Sequence, residues 1–161
     1  VDLLRAAVAR LSTDGFTLVI TASPPAEPTV AWEEWIGTTS DERGMELLGT
    51  CDIVALPSSA GGEGKAQLPM KLIDAMLAAR AVAVSDLGPM RWALGDCGLL
   101  FDPDSVDSLV HALGRLRDPH LRQLLGEKAR ERALGMFTPA LLAATLDAAL
   151  SEAILATERR S

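Results

Sequence analysis

Between Cys51 and Met90 two short apolar runs alternate with a glycine-rich loop and a helix start, and that order restricts the chain to few folds. Residues 53–56 (IVAL) are apolar without interruption and stop at Pro57-Ser58-Ser59. Gly61-Gly62-Glu63-Gly64-Lys65 follows, then Pro69-Met70-Lys71, with Asp74 one turn later. A second apolar run, residues 81–84, ends at Ser85-Asp86. Strands that are apolar at every position are covered on both faces, as in parallel sheets. Strand, loop, helix and strand in this order place a helix N-terminus, an acid and a base at the C-terminal edge of the sheet. Open α/β sheets bind nucleotides and sugars at that edge.

The remaining sequence fits the same architecture. Leu3, Leu4, Val8 and Leu11 share one face of a helix that Asp14-Gly15 ends. Residues 16–20 (FTLVI) read as a buried strand and residues 30–36 as a more polar one closed by Gly37. Ser40-Asp41 caps a helix over residues 42–48, with Met45 and Leu48 inward. Residues 69–79 form a helix with Met70, Ile73 and Leu77 inward, and residues 99–102 a last strand. Val106, Leu109, Val110, Leu113 and Leu116 make one helical stripe, and Asp118-Pro119 and Thr138-Pro139 start two further helices. The expectation is an α/β, Rossmann-like, doubly wound and mostly parallel sheet with helices on both faces and a helical C-terminal tail.

Composition narrows the function. With 161 residues, 48% of them hydrophobic, the chain can bury a core of its own. A net charge of −7, three Trp, three Phe and no Tyr argue against a nucleic-acid partner. No stretch reads as a signal peptide or as an apolar run long enough to span a bilayer. Cys51 and Cys97 read as reduced thiols of a cytoplasmic protein, and His111 and His120 lack ligand partners, so no metal site is expected.

The ordered motifs resemble a known family. Asp52-Ile53-Val54-Ala55-Leu56-Pro57-Ser58 matches its "D-x-x-v-l-P-S", and Pro69-Met70-Lys71-Leu72-Ile73-Asp74-Ala75-Met76 matches "P-l-K-l-l-E-A-M". Gly88 matches the glycine of "G-x-x-e", and Gly98-Leu99-Leu100-Phe101-Asp102-Pro103-Asp104 matches "G-l-l-v-x-p-x-d". The chain resembles the C-terminal, donor-binding domain of GT-B glycosyltransferases, in particular the retaining family 4 type. The match runs in order through nearly the whole chain. There are three departures. Asp74 stands for the family's second glutamate, and Ala66 occupies the position of the first. The family's first strand and its phosphate-binding loop have no counterpart here. The acceptor-binding N-terminal domain has none either, so residues 1–161 read as a single donor-binding domain of a longer enzyme.

The resemblance implies transfer of a glycosyl group from a nucleotide diphosphate sugar to an acceptor hydroxyl, without metal or other cofactor. The fragment alone is expected to be inactive. It assigns Glu63, Gly64, Leu68, Met70, Lys71, Asp74 and Gly37 to the donor site and names no catalytic residue. Lys71 would supply a point charge, Asp74 would accept from ribose hydroxyls and Glu63 would contact the sugar. Trp35-Ile36-Gly37 would lie beside the base. The principal pocket is expected between the loop 58–71, Asp74, Gly88 and residues 35–37. The acceptor would come through the absent domain, and the resemblance allows peripheral membrane association of the full-length enzyme. The first strand would lie between residues 16–20 and 53–56, leaving both edges open. Taken singly, each feature has a plainer reading: a turn, a solvated lysine, an acid favouring a helix dipole. A non-catalytic, degenerate GT-B-like binding or assembly module is the alternative; a flavodoxin-like regulatory domain lacks the clustered N-terminal acids it would need.

Overall fold

The computed structural model describes residues 1–25, 30–61 and 66–158. The strand Ala81–Ser85 (β4) is buried at all five positions and organises the rest. Strand side chains alternate between faces. Ala81 and Ala83 therefore enter one core with the helices Asp2–Leu11 (α1) and Val106–Arg115 (α5), through Ala7, Val8, Leu11, Leu109 and Leu113. Val82 and Val84 enter a second core with Met70–Leu77 (α3), Gly88–Leu94 (α4) and Pro119–Met136 (α6), through Leu72, Met76, Met90, Leu94, Ala129 and Ala133. Helices cover both faces of a parallel sheet, the doubly wound arrangement expected.

Ile53–Leu56 (β3) and Leu99–Phe101 (β5) flank β4, both parallel to it. Leu18–Ile20 (β1) and Glu33–Trp35 (β2) form a separate parallel pair. The helix Asp41–Thr50 (α2) leads from β2 to β3, and Pro139–Glu158 (α7) forms the tail. Among the described residues, β1 and β3 share no ladder and no backbone hydrogen bond. Phe16, Leu18, Ile53 and Ala55 nevertheless pack on the same core. Among the described residues, one edge of β1 and one of β3 are thus open.

Local chemistry accounts for the element ends. Ser40, Ser105 and Asp118 cap α2, α5 and α6, their side-chain oxygens accepting from Arg43, Ser108 and His120 N–H. Gly15, with φ 83°, closes the 3-10 turn Ser12–Asp14 that follows α1. Gly126 lets α6 lie against the turn after α3: a Cβ there would stand 2.2 Å from the Ala79 carbonyl oxygen. Arg130 binds the Leu77 carbonyl at 3.1 Å beside it.

Several expectations fail in detail. Residues 16–20 are not a buried strand: only 18–20 pair, and Val19 is 43% exposed. Every residue of β3 is half-buried rather than covered on both faces. Among the described residues each of these strands has a ladder on one side only. Met45 is exposed, whereas Leu48 packs inward. Ile73 is buried as expected, but Met70 is exposed and Leu77 half-buried, because α3 turns Leu72, Ala75 and Met76 toward β4 and α6 beside it. The short helix α4 was not expected. Pro89 in its first turn supplies a φ suited to helix initiation. Finally, an 18-residue window within Pro119–Ala156 has mean hydropathy 1.5 and is 6% buried, so one helix is long and apolar enough to cross a membrane by length and composition. Residues 139–156 are all exposed.

Amide exchange reads the open edges directly. The amides of β4 are expected to be slow, and those of β1 and β3 that face away from β2 and β4 fast. Uniform protection across all three strands would contradict the split sheet.

Candidate functional site

The C-terminal ends of β3, β4 and β5 are tied together by side chains. Ser85, fully buried at the end of β4, accepts from the Ser58 N–H at 2.9 Å and fixes the loop leaving β3. The Asp86 N–H donates to the Phe101 carbonyl at 2.7 Å. Asp104, in left-handed backbone with φ 61°, accepts from the Ala60 N–H at 3.2 Å and the Ser59 hydroxyl at 3.4 Å. Asp tolerates that conformation better than most residues. The loop 58–61 is thereby held against β4 and β5 from both sides.

This loop leads toward α3. Pro69 is the N-cap in extended backbone, and no side chain caps the helix. The Leu72 N–H is taken by the Pro69 carbonyl at 2.9 Å, which leaves the N–H groups of Met70 and Lys71 at the positive end of the helix dipole. Met70 and Lys71 are exposed, Leu68 and Asp74 half-buried. Leu68 packs on the second core and anchors the approach to the helix. Neither Lys71 nor Asp74 has a side-chain hydrogen bond or ion pair among the described residues. An unpartnered cation and carboxylate near a bare helix start can bind an anion and hydroxyl groups together.

The structure thus brings Leu68, Met70, Lys71 and Asp74 to one edge. Gly37 stands apart, after β2 in the other sheet, with φ 75°. Glu63 and Gly64 lie outside the described residues. Two clefts among the described residues lie elsewhere. One, of about 420 Å³, lies between Asp96, Cys97, Lys128 and Arg132. The other, of about 370 Å³, lies between Asp52, Arg80, Arg122 and Glu127. Asp52 precedes β3 and Arg80 precedes β4, so the second cleft is at the opposite edge of the sheet. Cys51 and Cys97 are free thiols, and burial pushes both up from the ordinary range, which argues against a nucleophilic role. Among the described residues no group of three or more His, Cys, Asp and Glu is placed to hold a metal.

Sequence reasoning missed a buried ion pair that sets the position of Trp35 and the strand end. The Glu33 side chain, fully inaccessible, accepts from Arg5 Nε at 2.7 Å and from Trp35 Nε1 at 3.1 Å. Arg5 also lies over the Trp35 ring, 5.8 Å from its centroid. The Ile36 N–H then reaches the Ile20 carbonyl at 3.1 Å, leading into Gly37. The readable signal was the period of two, which puts Glu33 and Trp35 on one strand face, and Arg5 among the inward leucines of α1.

Residues 1–118 match the family described as Glycosyl transferases group 1. An MMP alpha-(1->4)-mannosyltransferase from Mycolicibacterium hassiacum is 30% identical over 119 residues, covering 71% of this chain and 28% of that protein. The fold is similar to that of sucrose-phosphate synthase from Thermosynechococcus elongatus, with TM-score 0.70 and 18% identity over 94% of this chain and 42% of the other. It is also similar to Anabaena HepE, solved in complex with UDP and glucose, with TM-score 0.65 and 20% identity over 76% and 32%. The chain spans less than half the length of each.

The Arg5 hydrogen bonds hold the Glu33 carboxyl below the usual carboxylate range, against the opposing effect of burial. A folded-state value below the unfolded one adds stability above the unfolded pKa and loses it as pH falls through the folded pKa. Glu33→Gln is therefore expected to lower the melting temperature at pH 7 and to flatten its fall on acidification. Parallel curves for both proteins from pH 7 to pH 3 would contradict the assignment.

Proposed function

Because this chain belongs to the group 1 glycosyl transferases and has a GT-B-type α/β domain, we propose that it is the nucleotide-sugar-binding half of a glycosyltransferase. The observation that carries the reading is the uncapped start of α3 with Lys71 and Asp74, neither partnered among the described residues, beside the tethered loop 58–61. A nucleotide diphosphate carries concentrated negative charge. The Met70 and Lys71 N–H groups at the start of α3 meet it with the dipole, and the Lys71 side chain adds a point charge. Asp74 accepts from the ribose hydroxyls, and Gly37 with the end of β2 lies on the base side. Glu63 and Gly64 complete the contacts to sugar and phosphate.

In the transfer step, the bond between the sugar's anomeric carbon and the diphosphate oxygen breaks, and one to the acceptor oxygen forms with retention. Stabilising the departing diphosphate is this domain's share of the work. The acceptor and its proton are handled by a second domain of the full-length enzyme. Similar proteins support the donor class: one is an MMP alpha-(1->4)-mannosyltransferase, another was solved with UDP-glucose. The open edges of β1 and β3 support a further strand, supplied by the full-length protein, between them; slower exchange of those edge amides in that protein tests this part. Two free cysteines accord with work in the cytoplasm.

Calorimetric titration with UDP, GDP and ADP tests the reading. One diphosphate is expected to bind, and Asp74→Ala to weaken it by about 1.5–3 kcal/mol through loss of a charged acceptor. Absence of binding by all three, or an affinity indifferent to Asp74, would count against it.

A further inference from the structure

We propose that Arg91 is a second cationic ligand of the donor diphosphate, held in position by Asp86. The inference rests on the proposed function and adds a residue to that site. Arg91 is on α4, which begins three residues after β4 ends at Ser85. It is therefore on the same sheet edge as the start of α3. Ser85 holds the loop from β3 through the Ser58 N–H, so the segments leaving β3 and β4 lie side by side there.

The guanidinium is preorganised. Its Nε donates to Asp86 Oδ1 at 2.6 Å and its Nη2 to Oδ2, a two-point pair. The Asp86 backbone is in turn fixed to β5 through the Phe101 carbonyl. The helix beneath is rigidly seated: Met90, Ala93 and Leu94 are fully buried. Arg132 clamps its far end, donating to the carbonyls of Ala93 at 2.8 Å and Trp92 at 2.7 Å. Guanidinium has five N–H donors, and Asp86 engages two of them. The Arg91 side chain remains 60% exposed, leaving other donors open to solvent.

Charge balance gives this group a role. The described acids at this edge are Asp74, Asp86, Asp102 and Asp104, and the described cations are Lys71 and Arg91. In a chain of net charge −7, a diphosphate needs every local cation. A guanidinium fork matches two phosphate oxygens, which an ammonium cannot do. An ordered side chain also loses little freedom on binding. Were the pair merely a surface ion bridge, its loss would change little.

Titrating the parent chain, Arg91→Gln and Arg91→Lys with UDP and GDP, and with uridine and guanosine, separates these cases. Arg91→Gln is expected to lose about 10–100-fold in diphosphate affinity, as for a charged hydrogen bond. Its nucleoside affinity and melting temperature are expected to stay unchanged, and Arg91→Lys to recover part of the loss. Equal diphosphate affinity in Arg91→Gln and the parent, with Asp74→Ala still weakened, would overturn the role of Arg91 and leave the proposed function standing. No diphosphate binding by the parent would overturn both.

Discussion

The burial of β4 on both faces is the constraint on which the rest of the molecule depends. Five consecutive residues without water contact need a paired strand on each side and a helical layer on each face. The small side chains Ala81 and Ala83 let α1 and α5 approach one face, while Val82 and Val84 fill the space under α3, α4 and α6. At its C-terminal end the strand exchanges apolar side chains for the Ser85 hydroxyl. That hydroxyl, fully buried, takes the Ser58 N–H and so passes the rigidity of the core to the loop before α3. Removing it would leave a backbone donor unpaired, at a cost of about 1–3 kcal/mol.

The two-stranded and three-stranded sheets stand in a different relation. They share a core through Phe16, Leu18, Ile53 and Ala55, yet no described hydrogen bond joins β1 to β3. The Glu33–Arg5–Trp35 cluster accordingly matters more than an ordinary ion pair. It ties β2 to α1, and α1 to the core that β4 organises. Gly37 follows β2 in the two-stranded sheet, while Lys71 and Asp74 are on the helix after β3 in the three-stranded one.

What was legible in the sequence follows from which forces act locally. The apolar run 81–84 and the caps Ser40 and Asp118 declare themselves through neighbours in sequence, and the structure follows them closely. The ordered motifs gave the family and the edge of the sheet on which Lys71 and Asp74 lie. The phase of α3 was misread because hydrophobicity alone favoured Met70, whereas its place in the first turn leaves it exposed. Burial of 16–20 and 53–56 was overestimated, because apolar composition reports a preference and the neighbouring strand decides the outcome. Glu33, Arg91 and Asp104 work through partners at 28, 5 and 44 residues' separation, and spacing reveals little about such pairs.

The account's central claim is that ligand chemistry resides at the C-terminal edge of β3–β5. Backbone amide chemical-shift mapping during titration with a nucleoside diphosphate tests it most directly. The largest shifts are expected at Ser58, Met70, Lys71 and the start of α4, with none at Arg80 or Arg122. Shifts confined to Arg80, Arg122 and Gln123 would place the ligand in the cleft at the opposite edge and contradict the claim.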